Sequence, residues 1–260
     1  MIRGGFPMRQ KRWLVISGLT ILSIGLAGKF VMAVRDAREA ARQTACRGHF
    51  CQLNLALSNY QEVYGCLPPA YVADVNGKPM HSWRVLILPF MDGNDLYKKY
   101  RFDEPWNSPH NSQLQYDHPR RQYCCPGCPD PGQSLFTNYV VIAGSNTAFP
   151  GSQSTRTVDF EDGDANTILI AEINNSDIHW MEPRDLFFET MSFQLNDPIR
   201  PSISSPHPKG PAVCFHDVCG GIRLHSSITP ITLRALTTIS GHEPVARDRL
   251  IKKDPHLLEE

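Results

Sequence analysis

The sequence predicts an α+β protein in which one long N-terminal helix runs into a domain where it packs on an antiparallel β-sheet with long loops. Three observations carry this reading. An apolar stretch from Trp13 to Val34 holds Lys29 as its one charge, an amphipathic helical pattern continues it to Gly65, and the remainder breaks into short apolar runs in a chain with 21 Pro and 18 Gly.

The first stretch, residues 13–34, would reach roughly 33 Å as a helix, enough to cross a hydrocarbon core of about 30 Å, so it reads as a transmembrane anchor. Lys29 lies near one end and can snorkel. Before it stands a basic tail, 1–12, and after it a domain, 35–243, followed by a loose, charge-mixed tail, 244–260. The competing reading is a cleaved signal peptide, since Val31-Met32-Ala33 offers small residues at a suitable spacing, although the apolar run exceeds a usual signal core.

Beyond Val34 come the helix formers Asp36 to Arg42, then Phe50, Leu53, Leu57, Tyr60 and Tyr64 at alternating spacings of three and four, one apolar stripe on a helix. Gly65 sits as its C-terminal cap and Pro68-Pro69 stops it. Trp83 to Phe90 reads as a buried strand after the turn at Asn76-Gly77, and Asp92 to Gly132 as a long ordered loop rich in proline and aromatics. Strands follow at Tyr139 to Ala143 and Thr167 to Ile173. After an irregular stretch, Ala212 to His216 and Ile222 to His225 form a hairpin turning at Cys219-Gly220-Gly221, and Leu233, Leu236 and Ile239 mark a short helix.

Acidic and basic residues balance at 26 each, so no phosphate-tracking surface is expected and no nucleic-acid partner. Eight cysteines after a membrane-targeting start point to an oxidising compartment, with Cys46, Cys51, Cys66, Cys124, Cys125, Cys128, Cys214 and Cys219 as disulfide candidates and the pairing left open. The basic residues flanking the anchor tie, with Arg3, Arg9, Lys11 and Arg12 against Arg35, Arg38, Arg42 and Arg47. The cysteines place the domain on the extracytoplasmic side.

Cys124, Cys125 and Cys128 contain a C-x-x-C pair that Cys214 and Cys219 could complete as a zinc site, but the second spacing is C-x4-C and the compartment favours disulfides. Glu161, Asp162, Asp164 and Asn166 put four oxygen-bearing side chains within six residues, a calcium-type cluster, although Asp162-Gly163 is also a turn signal and the EF-hand spacing is absent. Otherwise no cofactor is expected. Among ten histidines, His207, His216 and His225 fall near the terminal hairpin, and no nucleophile elbow, H-E-x-x-H helix or phosphate loop organises a reaction. His207 with Asp217 reads as a structural pair pinning a loop to the hairpin.

Several segments together resemble the planctomycete-type prepilin-like proteins, which carry a domain of unknown function and a C-terminal H-x9-DG motif. They are AREAAR (37–42), Cys46, QLNLALSNYQEVYGCLPP (52–69), HSWRVLILPFMDGNDLY (81–97), EPWNSPHN (104–111), TNYVVIAGSNTAFPG (137–151), DGDANTILIAEI (162–173) and WMEPRDL (180–186). The likeness spans about residues 35–241. It implies a type IV pilin-like or type II secretion pseudopilin-like architecture. The terminal motif maps onto His207 and Asp217, with Val218 where the family has Gly. At the N-terminus Gly5-Phe6 is followed by Pro7, Met8, Arg9 and Gln10 instead of the T-L-x-E that a prepilin peptidase reads.

The expected function is therefore non-enzymatic: a single-pass, membrane-anchored extracytoplasmic pseudopilin-like protein in envelope or surface structure or secretion-type assembly. Its expected partners are membrane lipid through residues 13–34 and other pilin-like subunits or envelope components. One rival is a cell-surface binding module that holds a glycan or peptide on its aromatic and proline-rich loops, for which Trp106 and Trp180 would be exposed. Another is a metal-dependent enzyme using His207, Asp217 and nearby cysteines.

Overall fold

The computed structural model describes the backbone of residues 8–117, 120–128, 133–218 and 220–243, and side chains for 24–117, 121–128, 133–218 and 220–243. The chain divides into two units, Met1–Arg42 and Gln43–Glu260. Helix α1 runs from Met8 to Tyr64 and contributes to both.

In the first unit Ile24, Leu26, Phe30, Val31 and Met32 are 57–72% exposed, an apolar surface that no other element covers among the described residues. Among the described residues no helix is long and apolar enough to cross a membrane. Side chains 13–23 of the expected anchor lie outside the described ones, as do residues 1–7 of the basic tail and the whole tail 244–260.

In the second unit the expected stripe of α1 is fully buried at Phe50, Leu53 and Leu57, with Ala56 beside them, but is half-buried at Tyr60 and exposed at Tyr64. The helix ends at Gly65, whose φ of +74° suits glycine and whose N–H bonds the Gln61 carbonyl at 2.8 Å. A hairpin follows, β1 (Tyr71–Ala73) and β2 (Pro79–Ser82), its loop fixed by the Asp74 carboxylate accepting from the Asn76 and Lys78 N–H groups.

The expected strand from Trp83 to Phe90 is instead helix α2 (Trp83–Leu86) followed by a 3-10 turn (Leu88–Phe90). The run is buried along much of its length, so apolar content carries no period to separate strand from helix. Local chemistry decides: the Ser82 hydroxyl caps the helix by accepting from the Arg84 N–H, and Pro89 sits in the first turn of the 3-10 segment, where it costs no hydrogen bond. The long loop after it contains helix α3 (Asn94–Lys99) and is held by Asn111, whose fully buried side chain bonds the Arg101 N–H and the carbonyls of Arg101, Glu104 and Pro105.

The central sheet has the order β3 (Tyr139–Val140), β5 (Ile168–Glu172), β7 (Ala212–Phe215), β8 (Ile222–Arg223), antiparallel throughout. The expected terminal hairpin is present with shorter strands than expected, pairing Ala212 with Arg223 and Val213 with Ile222. The expected strand 139–143 is divided: β4 (Ile142–Ala143) leaves the sheet to pair in parallel with β6 (Leu186–Phe187). Alternation then sorts the strand residues. Tyr139, Leu169 and Cys214 join the α1 core, whereas Val140, Ile168, Val213 and Phe215 join a second core capped by Leu233 and Leu236 at helix α4 (Pro230–Ala235). Both faces of the sheet are thus covered, which is why its strands read as unbroken apolar runs.

Burial also sets a pH dependence. His81 is buried with its ring nitrogens on Tyr100 Oη and the Phe102 carbonyl, both at 2.9 Å, and desolvation pushes it below its ordinary 6.5, as it does His49 and His179. The folded state therefore binds fewer protons than the unfolded state, and stability falls as pH drops through the unfolded value. Urea midpoints are expected to be lower at about pH 5.5 than at about pH 7.5. A flat profile would show that these rings take up protons without leaving the fold.

Candidate functional site

Among the described residues a single group of His, Cys, Asp or Glu brings three or more ligand atoms together: Cys46, Cys125, Glu172 and His207, all within 4.8 Å of one another and all buried. Four separate elements supply them. Cys46 comes from α1, Cys125 from the turn after the 3-10 helix Arg120–Tyr123, Glu172 from the end of β5, and His207 from the loop before β7.

Glu172 is fully buried and its Oε1 faces Cys125 Sγ at 3.3 Å, His207 Nε2 at 3.8 Å and Cys46 Sγ at 4.0 Å. Cys125 Sγ lies 3.2 Å from His207 Nε2. A surrounding shell fixes each group. The Glu172 Oε2 accepts from the Ala212 N–H at 3.0 Å and lies 3.5 Å from Arg223 Nη1. The Gly127 N–H donates to Cys125 Sγ at 3.3 Å, Asn138 Oδ1 accepts from the Cys125 N–H at 2.8 Å, and Tyr139 Oη donates to Cys46 Sγ at 3.3 Å.

Gly127 is required here, because a Cβ at that position would lie 2.7 Å from His207 Cε1. The hydrogen bond with Cys125, then burial, pushes the Cys46 thiol up. Cys125 is pushed up chiefly by Cys128, whose own thiol that contact pulls down. Two sulfurs, an imidazole and a carboxylate form a donor set suited to a transition-metal or zinc ion.

The residues singled out in the sequence distribute differently. Of the disulfide candidates, Cys51 is disulfide-bonded, Cys46, Cys66, Cys124, Cys125, Cys128 and Cys214 stand as thiols, and Cys219 lies outside the described residues. Cys46 and Cys125 are held in the four-residue cluster, and Cys214 is sealed in the core with its Sγ on the Phe215 and Val218 carbonyls. Of the expected zinc set around C-x-x-C, Cys125 alone joins the cluster, together with His207.

Among the described residues Glu161, Asp162 and Asp164 are not grouped as a set of carboxylate ligands, and each of the calcium-type candidates has other contacts. Asp162 caps the Gly241 and His242 N–H groups, Asp164 pairs with His216 at 3.2 Å, Glu161 pairs with His242 at 3.1 Å, and the Asn166 amide donates to the Asp162 carbonyl. The carboxylates of Glu161 and Asp162 fasten this surface turn to Gly241 and His242, and that of Asp164 ties it to the end of β7. His207 is buried at the cluster, whereas Asp217 is exposed in the turn after β7. Trp180 is 1% exposed and Trp106 stacks on His179 at 5.0 Å between ring centres, half-buried, so the two do not form an open aromatic patch.

A family model described as a protein of unknown function (DUF1559) matches residues 35–197. That stretch contains Cys46, Cys125 and Glu172, and His207 lies beyond it. No curated protein and no solved structure matches the chain.

Proposed function

Because the chain belongs to this family of proteins of unknown function (DUF1559), we propose its role from its own residues: a non-enzymatic, membrane-anchored extracytoplasmic protein of pseudopilin-like build, acting in envelope or surface structure or in secretion-type assembly. The observation that supports this most is the seating of α1 on the sheet. Its last turns bury Phe50, Leu53 and Leu57, while Asn54 donates to the Phe215, His216 and Val218 carbonyls and so fastens the helix to the end of β7. The inference from that arrangement to assembly is one of fold-level analogy.

Anchoring rests on the sequence of residues 13–34 and on the exposed apolar side chains from Ile24 to Met32, a surface that calls for lipid or a protein partner. Its partners in this reading are membrane lipid and other pilin-like subunits or envelope components. The test is intact mass with N-terminal sequencing of the native protein, after separation of membrane and soluble fractions and protease shaving of whole cells. A chain beginning at Met1 or Ile2 in the membrane fraction, with its domain removed by external protease, is the expected result. A start near Val34 in the soluble fraction would overturn the anchor, and a start at Phe6 would restore prepilin processing and filament assembly.

A further inference from the structure

We propose that Cys46, Cys125, Glu172 and His207 are the four ligands of a structural zinc ion. Zinc–ligand bonds of about 2.0–2.3 Å in a tetrahedron set ligand atoms about 3.3–3.8 Å apart. The four donors already stand near those edges, at 3.2, 3.3, 3.8 and 4.0 Å for the contacts described, with none further than 4.8 Å from another.

The surroundings are those of a ligand sphere. Cys125-Pro126-Gly127-Cys128 forms a tight turn in which the Cys128 N–H bonds the Cys125 carbonyl at 3.0 Å and the Gly127 N–H points at Cys125 Sγ, an arrangement that stabilises a thiolate. The Ala212 N–H and Arg223 orient Glu172 through its other oxygen, leaving Oε1 for the ion. Charge also closes. Zinc displaces one proton from each thiol, so two thiolates, one carboxylate and one divalent ion leave a net charge of −1, which the Arg223 guanidinium faces. No electron is transferred.

Thiolate and imidazole exclude calcium and magnesium, which take oxygen. All four positions are filled by protein and the site is closed to solvent, so the ion has no open position for water or substrate. Its role is to tie α1, the 124–128 turn, β5 and the loop before β7 into one piece. Coordination also keeps Cys46 and Cys125 from oxidising in the compartment where Cys51 forms its disulfide.

Metal content of the full-length protein, purified in detergent from cells grown with zinc and without added chelator, tests this. One zinc per chain is expected. Cobalt exchanged into the same protein should give the thiolate-to-cobalt charge-transfer band and the intense visible bands of a tetrahedral site. Cys46→Ser and His207→Ala should lose the stoichiometric zinc, Cys66→Ser, whose thiol sits on the Tyr64 carbonyl away from the cluster, should keep it, and Arg223→Ala should hold it roughly 10–100-fold more weakly. If the ligand variants fail to fold, the metal content and cobalt spectrum of the parent decide. A folded parent without stoichiometric zinc, stoichiometric iron or copper in its place, or a Cys46–Cys125 disulfide in unreduced peptides would overturn the assignment.

Discussion

Replacing Arg84 by methionine is expected to lower the stability of the folded domain by about 3–5 kcal/mol, because it leaves a buried carboxylate without its charge. Arg84 and Asp185 side chains are 0% and 4% exposed and meet at 2.5 Å between Nη2 and Oδ1. The guanidinium also donates to the Tyr139 carbonyl through Nε and Nη2, both at 3.1 Å, and to Ser82 Oγ at 2.9 Å, while Asp185 accepts from the Val141 N–H and the Trp83 indole. One pair thereby joins β2, α2, β3, Val141 between β3 and β4, and the approach to β6. Desolvation already pushes the Asp185 carboxyl up, against the pull of Arg84 and the two N–H donors.

Without Arg84 that rise is larger, and the sign of its linkage follows. A carboxyl whose folded pKa exceeds its unfolded pKa destabilises the fold once pH rises above the unfolded value. The deficit of Arg84→Met relative to the parent is therefore expected to be larger at neutral pH than at about pH 4. Urea midpoints with an unchanged slope would measure it. A deficit below about 0.5 kcal/mol at neutral pH would mean that water reaches Asp185 in the fold and that the pair is not an organising contact.

Neither charge announces itself in the sequence, and the reason is instructive for the rest of the fold. The stripe on α1, the Gly65 cap, the strand at 167–173 and the 212–223 hairpin were legible because each depends on a local period or a turn residue. The segment from Trp83 to Phe90 was not. Its one charged residue sits inside an apolar run, and its partner is 101 positions away, so the helix is decided by a cap at Ser82 and by a tertiary ion pair.

The ligand cluster is illegible for the same reason. C-x-x-C is a local signal and draws attention to Cys125, but Glu172 lies 47 positions from Cys125 and 126 from Cys46, and His207 lies 82 from Cys125. Spacing rules had offered Cys214 and Cys219 as partners because sulfur is conspicuous. A carboxylate at the end of a strand is not, although Glu172 interrupts the otherwise apolar run from Ile168 to Ile173, and a charge inside such a buried apolar run is the signal that could have found it.

The second large effect is expected at the seam between helix and sheet. Phe50 is fully buried and its ring meets Tyr139 edge-on at 4.8 Å between centres. Gly221 lies beneath it so closely that an added Cβ would stand 2.7 Å from the Phe50 ring and 3.0 Å from Ala212 Cβ. A phenylalanine truncated in such a packed site costs about 3–5 kcal/mol, through lost burial and the cavity left behind. Phe50→Ala should therefore be among the most damaging single changes in the domain, measured as a fall in the urea midpoint. Gly221→Ala, which overfills the same seam, should cost a smaller amount of about 1–3 kcal/mol. The double variant discriminates between a fixed seam and a loose one: truncating Phe50 makes room for the new methyl, so the two changes together should cost less than their sum. Simple additivity would mean that the end of α1 moves independently of the β7–β8 hairpin, and the seating on which the pseudopilin-like reading depends would lose its physical basis.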